Sequence, residues 1–68
     1  MSIFSGEVSP VPRFEIRKSH DGQYYFVLFA KNGKIIARSE EYISKEGCEN
    51  GIKSVKESAP VAETIDNY

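Results

Sequence analysis

The sequence predicts a single α+β domain, an antiparallel three-stranded meander packed against one helix and followed by a short C-terminal strand, in the order βββαβ. Three observations indicate this fold. Polar and apolar residues alternate before residue 40, two turn signals with glycine separate three strand candidates, and apolar residues then recur at helical spacing. With 68 residues there is room for one small domain. We assign residues 13–68 to it, and residues 1–12, which end in Pro10-Val11-Pro12, to a flexible N-terminal tail.

The first hairpin is predicted from the alternation within residues 13–18 and from the turn signal Asp21-Gly22. A three-residue loop at 20–22, with Gly22 in the left-handed conformation, places apolar side chains opposite each other. The pairs in that register are Ile16 with Phe26 and Phe14 with Leu28. A two-residue loop would instead bring charged side chains of the first strand beside these apolar ones, so the longer loop is predicted.

A second strand is expected from Gln23 to about Lys31, where Asn32-Gly33 gives a strong hairpin signal. Both residues of that pair tolerate the positive φ of a type I′ turn. With this turn, Ile35 of the third strand faces the helix and Ile36 faces away from it. A looser turn would exchange the two isoleucines, and the sequence leaves that alternative open.

The helix is predicted to run from Lys45 to about Ser58, with Ser44 as its N-cap. Its apolar residues form a narrow stripe that would cover the sheet: Cys48, Ile52, Val55 and Ala59. Pro60 prevents the helix from continuing. The weak alternation of apolar and polar residues in 61–65 predicts the short last strand.

Residues that carry covalent or metal chemistry are scarce in this chain. With one cysteine, Cys48, and one histidine, His20, neither an intrachain disulfide nor a Cys/His zinc site is expected. Cys48 belongs to the apolar stripe, which favours a core residue over a nucleophile. Residues 47–54 lack the glycine spacing of a phosphate-binding loop, and the acids are scattered. We therefore predict no catalytic residue, no cofactor, no metal and a protein that is not an enzyme.

The chain shows no membrane or export signal. No apolar run approaches the ~20 residues needed to cross a bilayer, and the N-terminus lacks the basic start and apolar stretch of a signal peptide. We expect a cytoplasmic protein that does not bind membranes.

The second strand is apolar on both faces, so one face has nothing to cover it in a domain this small. The apolar residues expected there are Tyr25, Val27, Phe29 and Ile36, rimmed by Arg13, Arg17, Lys34 and Arg38. This surface predicts a homodimer interface. Aromatic residues interleaved with arginines also suit nucleic-acid binding, although the net charge of −1 counts against it. A groove between two subunits would suit a small molecule.

An ordered set of short motifs runs through the predicted domain. It comprises Phe14-Glu15-Ile16, Asp21-Gly22, Tyr24 with Phe26, Asn32-Gly33, Ser39-Glu40, Tyr42, Ser44-Lys45, Cys48, Gly51-Ile52 and Ser54-Val55. This set, which spans residues 13 to about 65, resembles the YegP-like family of small bacterial proteins, a domain of unknown function. The resemblance implies an α+β fold that some members carry twice in tandem and others once. It also implies that single-copy chains pair, and it brings no catalytic residues.

Overall fold

The computed structural model describes residues 10–68, which form one open antiparallel sheet and one long helix. The elements are β1 (Arg13–Lys18), β2 (Tyr24–Phe29), β3 (Ile35–Arg38), α1 (Lys45–Ser58) and a 3-10 turn (Ala59–Val61). The strands lie in the spatial order β1-β2-β3, so the predicted α+β meander is confirmed. Residues 1–9 of the predicted tail lie outside the described residues.

The first hairpin has the predicted three-residue loop. The N–H of Ser19 donates to the carbonyl of Gln23 at 2.8 Å, and the N–H of Gly22 donates to the carbonyl of Ser19 at 3.1 Å. Gly22 has a φ of 81°, which glycine adopts readily because it has no Cβ. The predicted pairs are confirmed: Ile16 with Phe26, and Phe14 with Leu28.

The second hairpin is looser than the predicted type I′ turn. Gly33 has a φ of 82°, but no non-glycine residue in the described part of the chain has a positive φ, so Asn32 is not left-handed. The N–H of Ala30 donates to the carbonyl of Lys34 at 2.8 Å, which closes a loop of three residues instead of two. Asn32 stabilises this loop because its side-chain oxygen accepts the N–H of Lys34 at 3.0 Å.

A β-bulge follows in the ladder between β2 and β3. Phe29 pairs with Ile35, whereas the preceding residue, Leu28, pairs with Ala37, so Ile36 is the extra residue in β3. The favoured two-residue turn, which assigns Ile35 to the helix side of the sheet, is therefore wrong. Ile35 lies beside Phe29, on the face away from the helix, as the looser turn that the sequence left open requires.

Helix α1 begins and ends where the sequence predicts. Ser44 is the N-cap, and its Oγ accepts the N–H of Gly47 at 3.0 Å. Pro60 lies in the 3-10 turn that follows the last helical residue, Ser58. No helix within residues 10–68 is long and apolar enough to span a membrane.

The core lies between β2 and α1. Cys48 of the helix is fully buried, and Phe26 is 4% exposed. The Phe26 ring stacks on that of Tyr42, with 6.4 Å between centroids, and meets the ring of Phe14 edge-on at 5.7 Å. These three rings and the helix form the apolar layer on this side of the sheet.

The predicted C-terminal strand is not present among the described elements. Residues 62–68 belong to neither helix nor strand, although the backbone of Ala62 is extended, with φ −74° and ψ 133°. Val61 and Ile65 are 80% and 72% exposed. An alternating segment becomes a strand only when a neighbouring strand pairs with its backbone, and no described segment does so here.

Candidate functional site

The sheet face turned away from α1 was predicted to be an open apolar surface. Its central residue, Val27, is however only 2% exposed. The cross-strand partners of Val27 are Glu15 on β1 and Arg38 on β3, and such partners share a face of the sheet. Charged side chains of the same chain therefore flank and cover the centre of this face.

Two ion pairs run along β1 across this face. Glu15 Oε2 lies 3.1 Å from Arg13 Nη2, and Glu15 Oε1 lies 2.8 Å from Arg17 Nε. The hydrogen bonds from Arg17 and then from Arg13 hold the pKa of the Glu15 carboxyl below its usual value. Glu15 is therefore ionised at neutral pH and bridges both arginines.

The arginines of this face also lie on its aromatic rings. The guanidinium carbon of Arg13 is 3.9 Å from the centroid of Phe29, and that of Arg38 is 4.1 Å from the centroid of Tyr25. Such cation–π contacts contribute about 0.5 to 1 kcal/mol each at exposed sites. One face of each ring is therefore occupied by a cation of the chain itself, and is not open to a nucleobase.

The strand register brings most of the predicted interface residues onto one face: Arg13, Arg17, Tyr25, Val27, Phe29 and Arg38. Ile36, the bulged residue, has no cross-strand partner in this register, and Ile35 pairs beside Phe29 in its place. We call this set, with Glu15 and Ile35, the arginine-covered face. The packing of a second copy against this face stays a prediction. However, the chain's own charged side chains already cover most of the apolar surface that was expected there.

The large apolar side chains that are most exposed lie elsewhere. They are Ile35 and Ile36 on β3, Ile43 before the helix, and Val61, Ile65 and Tyr68 at the C-terminal end. The exposure of Val61 and Ile65 was not predicted, because both lie in the segment expected to form the last strand of the domain. The exposure could have been predicted from the strand order, because a meander of local hairpins leaves no obvious partner for a fourth strand.

An open cleft follows β1, which forms one edge of the sheet. The cleft has a volume of about 720 Å³ and is lined by Phe14, Glu15, Ile16, Arg17 and Lys18 of β1 together with Tyr24, Lys45 and Glu49. All six residues of β1 pair with β2 in unbroken register, so this ladder has no bulge. The opposite edge, β3, has four residues and a bulge, a feature that hinders the addition of a further strand.

The described residues show no arrangement typical of catalysis. Burial raises the pKa of the Cys48 thiol, and the nearby charge of Glu49 raises it further, so the nucleophilic thiolate is disfavoured. His20 is exposed in the first turn. Residues 10–68 contain no group of three or more His, Cys, Asp or Glu side chains that could hold a metal ion.

Cys48 should therefore react slowly with a thiol reagent. In the native protein, iodoacetamide at neutral pH is expected to label Cys48 at least about a hundredfold more slowly than in the same protein in denaturant, because the thiol must first be exposed by local opening. The rates can be followed by mass spectrometry. Equal rates in the two states would contradict a structural role and indicate an accessible, reactive thiol.

Comparison with known proteins supports the resemblance seen in the motifs. Residues 19–66 match a domain of unknown function, DUF1508. A UPF0339 protein of Methanosarcina acetivorans is 53% identical over 53 residues, which are 78% of this chain and 91% of that protein. The UPF0339 protein YegP of Escherichia coli K12 is 50% identical over 53 residues, which are 78% of this chain but 48% of YegP. The chain therefore spans about half the length of YegP.

The fold of residues 10–68 is also similar to a solved structure. The NMR solution structure of a protein from Haloferax volcanii superposes with a TM-score of 0.73 at 38% sequence identity. The match covers 81% of this chain and 93% of that one.

Proposed function

The chain belongs to the DUF1508 family, also called UPF0339, and from this premise we propose that it acts as a homodimeric binding module without catalytic activity. One observation carries the proposal: the outer edge of β1 over residues 14–18 and the C-terminal segment that exposes Val61 and Ile65 both lack a strand partner among the described residues. In two copies, the C-terminal segment of each chain adds to β1 of the other. Each copy supplies the strand that the other lacks.

The edge of β1 fits an additional strand better than the edge of β3 does. Its six residues form a regular ladder with β2, and over residues 14–18 the outer backbone edge has no strand partner in the described sheet. An open edge of this kind is a template for strand addition. The neighbouring cleft of about 720 Å³ leaves room for the side chains of an added strand.

Charge and apolar surface favour the same pairing. Strand β1 carries three basic residues and one acidic residue, whereas residues 62–68 carry the acids Glu63 and Asp66 and no basic residue. Exposed ion pairs contribute only about 0 to 1 kcal/mol each, so they orient the strand more than they hold it. Val61 and Ile65 contribute more to the stability of the pairing, about 1.5 to 3 kcal/mol for each side chain that becomes fully covered.

The length of YegP supports the pairing of two units, and the buried thiol of Cys48 supports a role without catalysis. YegP is about twice as long as the segment that it shares with this chain, a length that suits two such units in one polypeptide. The buried Cys48, with its raised thiol pKa, offers no nucleophile at the surface. Binding through a surface is therefore the better supported role.

Replacing Ile65 by aspartate tests the proposal. Sedimentation equilibrium should give about twice the chain mass of 7.7 kDa for the parent and the single-chain mass for Ile65→Asp, because a charge would enter the apolar seam. Ile36→Asp is the matched control. Ile36 is similarly exposed, at 63%, but lies on the opposite edge of the sheet, so this variant should remain dimeric.

A third variant distinguishes the two candidate interfaces. Phe29→Glu places a carboxylate on the arginine-covered face, near Arg13 and Arg17, whose charges can accommodate it in a single chain. If the dimer forms through that face, Phe29→Glu should dissociate it while Ile65→Asp should not. A parent chain that is monomeric at all concentrations would contradict dimerisation through either surface.

A further inference from the structure

The chain contains the dipeptide Asn-Gly twice, in two different structural settings. Asn32-Gly33 lies in the loop of the second hairpin, and Asn50-Gly51 lies in the middle of α1. Both asparagine side chains are exposed. A glycine after an asparagine leaves the next backbone nitrogen unhindered and mobile, because glycine has no Cβ. Each pair is therefore a candidate for loss of the asparagine side-chain amide in water.

This reaction takes place within the chain and needs no reagent other than water. The backbone nitrogen of the glycine attacks the side-chain carbonyl carbon of the asparagine, and a bond forms between these two atoms. The bond to the side-chain amide nitrogen breaks, and ammonia leaves with the proton of the glycine N–H. Water then opens the resulting cyclic imide at either of its carbonyls. The products are aspartate and isoaspartate, and in isoaspartate the main chain runs through the former side-chain carboxyl and is one carbon atom longer.

In the second hairpin, the groups that would react are held by hydrogen bonds at the surface. The N–H of Gly33 donates to the carbonyl of Ala30 at 2.9 Å, and Asn32 Oδ1 accepts the N–H of Lys34 at 3.0 Å. Residues 31–38 are all exposed, so water can replace both bonds when the loop opens. A Cβ added at Gly33 would meet no atom within 4 Å, so the backbone there has room to turn. Exposed loops of this kind open at a low free energy.

In α1 the backbone obstructs the same attack, although the side chain of Asn50 is exposed. Each N–H inside an α-helix donates to the carbonyl four residues earlier, which holds the nitrogen of Gly51 along the helix axis. Gly51 also lies against the core, because a Cβ at this position would lie 3.2 Å from Phe26 Cε2. Cys48, in the preceding turn of the helix, is fully buried. Freeing the nitrogen of Gly51 therefore requires opening the helix over its core.

We propose that Asn32 is a site of spontaneous deamidation in the folded protein, that the fold protects Asn50, and that the isoaspartate product opens the second hairpin. The aspartate product keeps a side-chain oxygen where Asn32 Oδ1 now accepts the N–H of Lys34. In the isoaspartate product that carbonyl belongs to the main chain, so this contact is lost and the loop is lengthened. The loop joins β2 to β3, whereas the proposed dimer uses the edge of β1, so the two proposals are independent.

Incubation of the full chain at mildly alkaline pH, with and without denaturant, tests the selectivity. Cleavage after glutamates places Asn32 in peptide 16–40 and Asn50 in peptide 50–57, and mass spectrometry follows the mass gained when an amide becomes a carboxyl. In the native protein, Asn32 should convert at least about tenfold faster than Asn50, because its loop opens more readily. In denaturant the two rates should be similar, because glycine follows both asparagines.

Either of two results in the native protein would overturn the selectivity. The first is conversion of Asn50 as fast as that of Asn32. The second is a native protein in which neither asparagine converts while both convert in denaturant, which would show that the loop protects Asn32 as well as the helix protects Asn50.

Thermal unfolding tests the effect on the hairpin. The Asn32→Asp variant is the matched control and should melt within about 2 °C of the parent, because it keeps the acceptor for the N–H of Lys34. The isoaspartate form, separated from the aspartate form by chromatography, should melt about 5 °C lower, because its loop no longer closes. An isoaspartate form with the Tm of Asn32→Asp would contradict the opening of the second hairpin.

Discussion

Replacing Phe26 by alanine is expected to lower the free energy of unfolding by about 3 to 5 kcal/mol. Phe26 is 4% exposed, and its ring contacts those of Phe14 and Tyr42. A domain of this length has a total stability of about 3 to 10 kcal/mol, so the loss removes a large part of it. The variant should be substantially unfolded at 37 °C.

Urea denaturation followed by circular dichroism measures this loss, with Phe29→Ala as the matched control. Phe29 is half-buried on the opposite face of the same strand, and its ring contacts the guanidinium of Arg13. We expect Phe29→Ala to cost about 1 to 2 kcal/mol, because less apolar surface and one cation–π contact are lost. Equal losses for the two variants would contradict a core on the helix side of the sheet.

Replacing Gly51 by valine is expected to lower the free energy of unfolding by about 2 to 3 kcal/mol, because the added atoms overpack the core. A Cβ at this position would overlap Tyr42 Oη, and it would lie 2.8 Å from Tyr42 Cζ and 3.2 Å from Phe26 Cε2. The Tyr42 ring stacks on that of Phe26, with 6.4 Å between centroids, so moving the ring away would disrupt the core. Its backbone is also held in place, because the Tyr42 N–H donates to the carbonyl of Tyr24 at 2.6 Å and the Tyr42 carbonyl accepts the N–H of Tyr24 at 2.8 Å.

The second glycine of the helix gives the matched control. A Cβ at Gly47 would lie 3.3 Å from Ser44 Oγ and 3.7 Å from the nearest atoms of Tyr42, so the space is nearly sufficient. Alanine is favoured over glycine within a helix by about 1 kcal/mol, and Gly47→Ala should therefore equal or exceed the parent in stability.

A double variant isolates the contact with Tyr42. When Gly51→Val is combined with Tyr42→Ala, most of the cost of the valine should disappear, because the overlapping ring is gone. Thermal unfolding of the two single variants and the double variant gives the coupling. A valine cost that is unchanged by Tyr42→Ala would show that the ring does not pack against this glycine.

Neighbouring residues in the sequence were sufficient to predict the first hairpin and the helix. The left-handed Gly22 closes a loop whose length places Ile16 opposite Phe26, and Ser44 caps the helix through a residue three positions away. Both signals act within a few residues, so they operate whatever the rest of the chain does.

The second hairpin was predicted less well, because its register depends on more than its turn. Asn32-Gly33 suits two different loops, and the choice between them depends on a bulge at Ile36 several residues away. The cover over Val27 was also not visible in the sequence. It arises because alternate residues of β1 share one face, where Glu15 can bridge the arginines on either side of it.

For this chain, local propensity was enough to place the turns, the helix ends and the face of each residue on β1. Packing between segments that are distant in sequence decided which surfaces remain exposed. The alternation in 61–65 is a sound strand signal, but a strand forms only beside a partner, and the described fold leaves this segment exposed and without a strand partner. Backbone hydrogen bonds in a sheet join residues that are far apart in sequence. A local pattern can therefore indicate that a segment is able to form a strand, but it cannot indicate which strand will pair with it.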